Sequence, residues 1–326
     1  ALHFYYESRR SSGFKRNRGL YPCIIKACAK LGDLEQGNLI HIHVVCDEFE
    51  SEVIIGSSLI DMYAKCGSIE DAQQVFKQMP KSDLVTWNVM IAGYTASQLN
   101  EEALRLFQQM ASRCLKPDEL TFFSLLKACA GLGSLKEANG IHALIKRHGL
   151  PMTELLGNAL VDMYTKCGVL TKAQSVLEEL PKRDIVSWST VIAGYAQQGE
   201  FHEAMNCLER MEDEEISPNA ATYAGILKAC ANLGELEKGE EIHAEARNTD
   251  LLQRNIMFDT ALIDMYAKCG FLEEAQIMFE KLPVRDVVSA TILLSGYIEH
   301  GFNAEALVIF EEIQRVGIVS NAITYV

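Results

Sequence analysis

The sequence lacks the short motifs that mark common enzymes. It contains no Cys-x-x-Cys pair, no Gly-rich phosphate loop and no G-x-S-x-G element. His243 and Glu245 match the H-x-E half of a zinc deaminase signature, but such a site also needs P-C-x-x-C to supply two thiolate ligands. We therefore expect no catalytic residue, no metal site, no cofactor and no small-molecule substrate.

Long apolar runs and an excess of positive charge are also missing. No stretch approaches the roughly 18 apolar residues of a membrane span, so we expect no membrane partner. The 30 Lys and Arg residues against 44 Asp and Glu residues give a net charge of −14. This acidity argues against general nucleic-acid binding, which is usually basic. It leaves room for one favourably charged face, because binding depends on local charge.

What the sequence does contain is internal repetition. Three stretches align without gaps, Ser58 to Asp83, Ala159 to Asp184 and Ala261 to Asp286, and each carries MYAKCG or MYTKCG near its start. Two other recurring units lie between them, one marked by Lys-Ala-Cys-Ala and the other by VTWNVMIAGY or a close variant. The long period of 101 to 102 residues therefore divides into units of 35, 31 and 35 residues. Repetition of this kind predicts a solenoid.

Each unit is predicted to form two helices. Between residues 84 and 118, Trp87, Met90, Ile91 and Tyr94 are spaced on one helical face, and a second apolar face follows after a polar break. Pro117 cannot continue the second helix. No segment alternates with period two, so the prediction is an all-α chain in which stacked helix pairs form a continuous superhelix.

The ten cysteines fit this prediction. Six recur at two fixed places in the repeat, as small buried residues between packed helices would. A disulfide framework is typical of short secreted chains instead. We expect reduced thiols in an intracellular compartment.

The MYxKCG and WNxMIAGY elements and the terminal Pro-Asp or Arg-Asp together resemble pentatricopeptide repeats, and the 35/31/35 rotation resembles the plant subclass with alternating P, L and S repeats. The resemblance covers residues 18–326 and implies a right-handed superhelical solenoid of about nine repeats. The implied repeats are L 18–52, S 53–83, P 84–118, L 119–153, S 154–184, P 185–219, L 220–255, S 256–286, P 287–321 and a partial L 322–326. Residues 1–17 are a basic extension, consistent with a linker or with the tail of a transit peptide. We expect the chain to be a fragment of a longer protein.

The resemblance also implies which residues read RNA. In the family, the fifth and last residues of a repeat together select a base. The pairs carried over are Ser57 with Asp83, Asn88 with Asp118, Asn158 with Asp184, Ser189 with Asn219, Thr260 with Asp286, and Thr291 with Asn321. The L repeats offer Pro22, Phe123 and Ala224 at the fifth position, and we assign them no base, because these side chains have no polar group. The implied target is 5′-N-G-U/C-N-U/C-A-N-G-A-3′, with U favoured over C.

The second residue of a repeat sandwiches the base in this family. Here those residues are Ile54, Val85, Leu155, Val186, Met257 and Val288, all of them apolar, as stacking requires. Each of them alone is equally compatible with a core position at the start of a helix. Their recurrence three residues before the base-reading position favours the sandwich.

Lysines recur at position 13 of several repeats, where the family places RNA phosphates. They are Lys30, Lys65, Lys166 and Lys268, whereas the P repeats have no lysine there. A solvated helix face would give the same pattern. We keep these residues as candidate phosphate contacts.

The resemblance implies sequence-specific binding of single-stranded RNA in a plant chloroplast or mitochondrion. In the subclass the array selects a site for cytidine-to-uridine editing, and a C-terminal deaminase-like domain outside this fragment does the chemistry. Cofactor proteins that bind L repeats are expected partners. The alternative is a solenoid scaffold that holds a peptide, which the acidic pI and the non-coding L repeats would suit.

Overall fold

The computed structural model describes residues 18–80, 82–247 and 255–315. After a short 3-10 turn, Arg18–Leu20, these residues form 18 α-helices and no β-strand. The all-α prediction is therefore confirmed. The basic extension, Asn321 and the partial repeat at residues 322–326 lie outside the described residues.

The chain divides into two compact units, residues 1–167 and 168–326. The boundary lies inside the S repeat 154–184, so its first helix belongs to the first unit and its second helix to the second. The helices of the first unit are α1 Tyr21–Leu31, α2 Leu34–Cys46, α3 Val53–Lys65, α4 Ile69–Gln78, α5 Leu84–Ala96, α6 Asn100–Ser112, α7 Glu119–Leu132, α8 Leu135–His148 and α9 Glu154–Lys166.

The second unit continues the same alternation of first and second helices. Its helices are α10 Leu170–Glu179, α11 Ile185–Gln198, α12 Phe201–Asp213, α13 Ala220–Leu233, α14 Leu236–Arg247, α15 Ile256–Lys268, α16 Leu272–Lys281, α17 Val287–Glu299 and α18 Asn303–Arg315. That the two units form one continuous array stays a prediction.

Glycine stops the first helix where the sequence places it. Gly67, Gly168 and Gly270 follow the first helices of the S repeats with φ of 82°, 74° and 85°. This left-handed conformation is readily adopted by glycine and ends a helix by turning the chain. The second helix can then fold back against the first.

Within each unit the first helices of successive repeats pack side by side. In the first unit α1, α3, α5, α7 and α9 contact one another in that order, and in the second unit α11, α13, α15 and α17 do the same. Second helices pack against their own first helix and against the first helix of the next repeat. The largest fully buried side chains, Trp87 and Trp188, lie on first helices. The apolar face predicted for residues 84–96 is the buried face.

The recurring cysteines divide into two groups. Cys28, Cys129 and Cys230 are fully buried, while Cys66, Cys167 and Cys269 are half-buried, and all ten thiols are free. Burial raises the pKa of Cys129 and Cys230 to about 12. These thiols therefore stay protonated and serve as packing residues.

A histidine–tyrosine contact joins each L repeat to the following S repeat. His41 and Tyr63 are linked through Nδ1 and the hydroxyl at 2.8 Å, and His142 and Tyr164 repeat this contact at 2.8 Å. His243, the residue of the partial deaminase signature, contacts the Tyr266 hydroxyl at 2.9 Å. The histidine row is thus a helix-packing device, and no cluster of three metal-binding side chains occurs within the described residues.

The helices are also too short or too polar for a bilayer. Among the described residues, no helix combines the length and apolar character needed to span a membrane.

Because the first helices pack closely, we predict that a side chain added at a glycine between them destabilises the protein. A Cβ added at Gly296 would lie 2.6 Å from the Cβ of Ala267 and 3.2 Å from its Cα, which is backbone and cannot rotate away. We expect Gly296→Ala to destabilise the protein by about 1–3 kcal/mol through overpacking. Since helix propensity favours alanine by about 1 kcal/mol, the expected net destabilisation is up to about 2 kcal/mol.

Gly140 provides the matched control, because it lies inside α8 with nothing within 4 Å of an added Cβ. Gly140→Ala should stabilise by up to about 1 kcal/mol. Urea unfolding followed by circular dichroism measures both changes. Destabilisation by both substitutions, or by neither, would show that helix contact does not decide the effect.

Candidate RNA interface

The six apolar residues predicted to sandwich bases are exposed to solvent. Their exposed fractions lie between 38% for Leu155 and 68% for Ile54. The side chain that follows each of them is buried: Ile55, Thr86, Leu156, Ser187, Phe258 and Ser289 are at most 3% exposed. These residues therefore do not belong to the core, and the first turn of each helix presents an apolar side chain to solvent.

One more residue belongs to this set. Leu120, at the second position of the L repeat 119–153, is 56% exposed. It is not among the predicted sandwiching residues. Its position in the repeat is the signal that identifies it.

Within the described residues, the last residue of a repeat is the N-cap of the next first helix. Asp83, Asp118, Asp184, Asn219 and Asp286 accept a hydrogen bond from the backbone N–H three residues later, at 2.8 to 2.9 Å. Asp and Asn are among the residues most favoured at N-caps. Helix capping is therefore a second reason for these residue types, one that the family resemblance did not supply.

Threonine or serine at the third position completes several caps. Thr121, Ser187, Thr222 and Ser289 form capping boxes with the last residue of the preceding repeat, and each is nearly or fully buried. These side chains carry no base assignment. They fix the rotamer of the capping residue and so position one half of each predicted reading pair.

In the P repeat 84–118 the fifth and last residues are in direct contact. The Asn88 amide donates to Asp118 Oδ1 at 2.9 Å, and the Thr121 hydroxyl lies 2.6 Å from Asn88 Oδ1. Asp118 Oδ1 also accepts the capping bond from the Thr121 N–H at 2.9 Å, and it lies 2.8 Å from the Thr121 hydroxyl, whose single proton is shared between Asp118 and Asn88. The amide orientation of Asn88 is thereby fixed, and only 8% of the residue is exposed.

The P repeat 185–219 is connected through the same position. The Ser189 hydroxyl donates to the Ile185 carbonyl of its own helix at 2.5 Å and lies 2.7 Å from the Thr222 hydroxyl, which in turn lies 3.0 Å from Asn219 Oδ1. A serine at the fifth position therefore reaches its last residue through the capping threonine. The network joins two repeats because the threonine belongs to the following one.

The remaining fifth-position hydroxyls, like that of Ser189, bond within their own helix. Ser57 donates to the carbonyl of Ile54 at 3.1 Å, Thr260 to that of Ile256 at 2.6 Å and Thr291 to that of Val287 at 2.7 Å. Since the proton is used internally, the oxygen offers its lone pairs as an acceptor. Asp83 and Asp286 cap the next helices, as described above.

One predicted pair divides between the two compact units. Asn158 lies in the first unit, where it is half-buried and lines a cavity of about 420 Å³ together with Leu155. Asp184 lies in the second unit and caps α11. Leu155, at the second position of this repeat, and Asn158, at its fifth position, therefore line the same cavity.

The candidate phosphate-binding lysines of the S repeats form ion pairs within their helices. Lys65 contacts Asp61 at 2.7 Å, Lys166 contacts Asp162 at 2.8 Å and Lys268 contacts Asp264 at 3.1 Å. Lys30 is exposed near the end of α1. The Lys65 and Lys166 ammonium groups are exposed and such pairs contribute little stability, so an RNA phosphate can compete for them.

The distinction between a sandwich and a core residue is testable within α11. Val186 is 56% exposed, whereas Val191 is fully buried. We expect Val191→Ala to cost about 2 kcal/mol of stability and Val186→Ala less than about 0.5 kcal/mol. Chemical denaturation of the two variants measures both changes. Equal losses of stability would show that Val186 is a core residue.

Comparisons with known proteins place the repeats in a family. The PPR repeat family matches residues 82–131 and 183–232, and the PPR repeat matches residues 57–84, 158–185, 260–287 and 288–318. Together these matches cover more than half of the chain.

Curated relatives come from Arabidopsis thaliana. A chloroplastic pentatricopeptide repeat-containing protein is 40% identical over 81% of this chain, which spans 43% of that protein. A mitochondrial one is 36% identical over 95% of this chain, which spans 49% of that protein. The chain thus spans less than half the length of these relatives.

Solved structures agree on the fold. The pentatricopeptide repeat protein PPR10, in complex with an 18-nt psaJ RNA element, superposes with a TM-score of 0.84 at 20% identity, covering 99% of this chain and 49% of that one. At this identity the likeness shows the fold alone. The family matches and the stacked helix pairs together show that the chain belongs to the pentatricopeptide repeat family.

Proposed function

We propose that this chain binds single-stranded RNA in a sequence-specific manner, with about one base per repeat. The observation that carries the proposal is the row of exposed apolar second-position residues, Ile54, Val85, Leu155, Val186, Met257 and Val288. A soluble array has no folding reason to expose an apolar residue at the same place in six repeats. Bases that lie against these side chains would remove both apolar surfaces from water.

The fifth and last residues supply the polar part of the proposed site. An Asn amide has two N–H donors and two acceptor lone pairs. At Asn88 the contacts with Asp118 and Thr121 use one of each, which leaves one donor and one acceptor for a pyrimidine edge. The amide must gain exposure when a base enters, since Asn88 is nearly buried in this structure.

The proposed target remains 5′-N-G-U/C-N-U/C-A-N-G-A-3′. The acceptor oxygens at Ser57 and Thr260 suit guanine, whose amino group donates. The assignments to Asn158, Ser189 and Thr291 follow from the family pattern. With a net charge of −14, we expect affinity to depend on stacking and hydrogen bonding more than on counterion release.

The setting proposed for this activity is a plant organelle. The curated relatives are named as chloroplastic or mitochondrial. We propose that the array is a recognition module without catalytic activity of its own. It would direct cytidine-to-uridine editing by a C-terminal domain of the full-length protein, with cofactor proteins bound to the L repeats.

Replacing the fifth residue of one repeat tests whether the fifth and last residues select the base. We expect Asn88→Ser to shift the preference at the third RNA position from U towards a purine. A serine is compatible with this site because Ser189 makes the equivalent contact with Thr222. Anisotropy titrations at low salt would compare the U and G versions of the target, a scrambled RNA and the DNA equivalent.

Asp118→Asn is the matched variant for the last position, since Asn and Asp cap helices about equally well. It should change base preference without lowering the midpoint of thermal unfolding. Equal weak binding of the designed and scrambled RNAs would overturn the proposal and favour a peptide-binding scaffold. A preference that both variants leave unchanged would show that these residues only cap and pack.

The candidate phosphate-binding lysines predict how RNA affinity depends on salt concentration. Each phosphate contact to a single strand contributes about 0.7 to the slope of log K against log salt. Replacing Lys65, Lys166 and Lys268 with Gln should lower that slope by about 2. The control replaces Lys77, Lys136 and Lys281, exposed lysines on second helices, and should change the slope little. Equal slopes in both triple variants would exclude the S-repeat lysines as phosphate contacts.

A further inference from the structure

Phe123 stands where a reading residue would be expected. It occupies the fifth position of the L repeat 119–153, and it is only half-buried. The ammonium group of Lys127, one helical turn later, lies over its ring at 4.5 Å from the centroid. A flat aromatic surface with a cation beside it is a typical arrangement for contact with single-stranded nucleic acid.

Two cavities adjoin this side chain, with volumes of about 420 and 570 Å³. Phe123 and Lys127 line both of them. Leu155 and Ala159 add apolar surface to the smaller cavity, and Asn158, the fifth residue of the next repeat, also lines it. Its walls are therefore suited to a flat, mostly apolar ring.

Charged groups around the smaller cavity balance one another. Lys127 lines it together with Glu154 and Asp162, and Asp162 is paired with Lys166 at 2.8 Å. A phosphate would meet carboxylates here as well as ammonium groups. The balance favours a neutral base over a phosphate.

An exposed apolar side chain also stands at the second position of this repeat and of the next one. Leu120, at its own second position, is 56% exposed, and Leu155, at the second position of the next repeat, is 38% exposed. Pro22 and Ala224, at the fifth position of the other L repeats, offer no aromatic ring. The arrangement is therefore particular to repeat 119–153.

We propose that repeat 119–153 binds one nucleobase of the RNA by stacking, with Phe123 as the platform and no reading of the base edge. The inference rests on the proposed function and adds a sequence-tolerant site at the fourth position of the target. Phenylalanine has no donor or acceptor, so every base is accepted through its π-face. The fourth nucleotide would thus contribute to affinity while leaving specificity to its neighbours.

The test uses five RNAs that differ only at the fourth position, with A, C, G, U or an abasic nucleotide. We expect the four bases to bind within about twofold of one another and the abasic RNA to bind about tenfold more weakly. Phe123→Ala should reproduce that loss on the four natural RNAs and cause no further loss on the abasic one. Phe302→Ala, which removes an exposed phenylalanine at the start of α18, should change none of the five affinities.

Phe123→Leu keeps apolar volume and removes the flat ring, so it should behave like Phe123→Ala even if the alanine variant folds poorly. Tight binding of the abasic RNA, or an equal loss on all five RNAs with Phe123→Leu, would overturn the inference. If the protein still prefers U over G at the third position but its affinity does not depend on the fourth nucleotide or on Phe123, this inference is overturned and the proposed function is not. Loss of base preference at both positions would overturn the proposed function with it.

Discussion

The interaction on which most of the proposed interface depends is the side-chain hydrogen bond that caps seven of the nine described first helices. The side chain of the last residue in one repeat accepts from the backbone at the start of the next, as Asp118 does from Thr121 at 2.9 Å. This bond fixes where the helix begins. The second residue then falls on the exposed side of the first turn and the third on the buried side, and the position of the fifth residue follows from the helical period.

Capping and base reading therefore use the same side chain. In Asp118 the recorded capping contacts are all on Oδ1, so one carboxylate oxygen holds the helix and the other takes no part in the cap. Helix stability alone would select Asp, Asn or Thr at this place. A residue type at the end of a repeat is thus weaker evidence for a particular base than the pair it forms with the fifth residue, as between Asn88 and Asp118.

The P and L repeats place different side chains at the fifth position of the first helix. In the P repeats 84–118 and 185–219 the capping threonine of the next repeat reaches back to Asn88 or Ser189 and orders a polar site. In the L repeat 119–153 the fifth residue is Phe123, and its surroundings are apolar with balanced charge. The L repeats also bind the next S repeat through contacts such as His41 with Tyr63. One helix-pair scaffold can therefore alternate polar and apolar positions along its first helices.

The sequence by itself determined the helices, their breaks and their repetition, because these follow from local spacing of apolar residues and from glycines such as Gly67. It could not decide whether Val186 is core or surface, since an apolar residue in the first turn of a helix suits either. Nor could it reveal the contact between Asn88 and Thr121, which lie 33 residues apart in the chain. Those features were decided by the tertiary structure, because burial and hydrogen bonding between repeats depend on how neighbouring first helices pack.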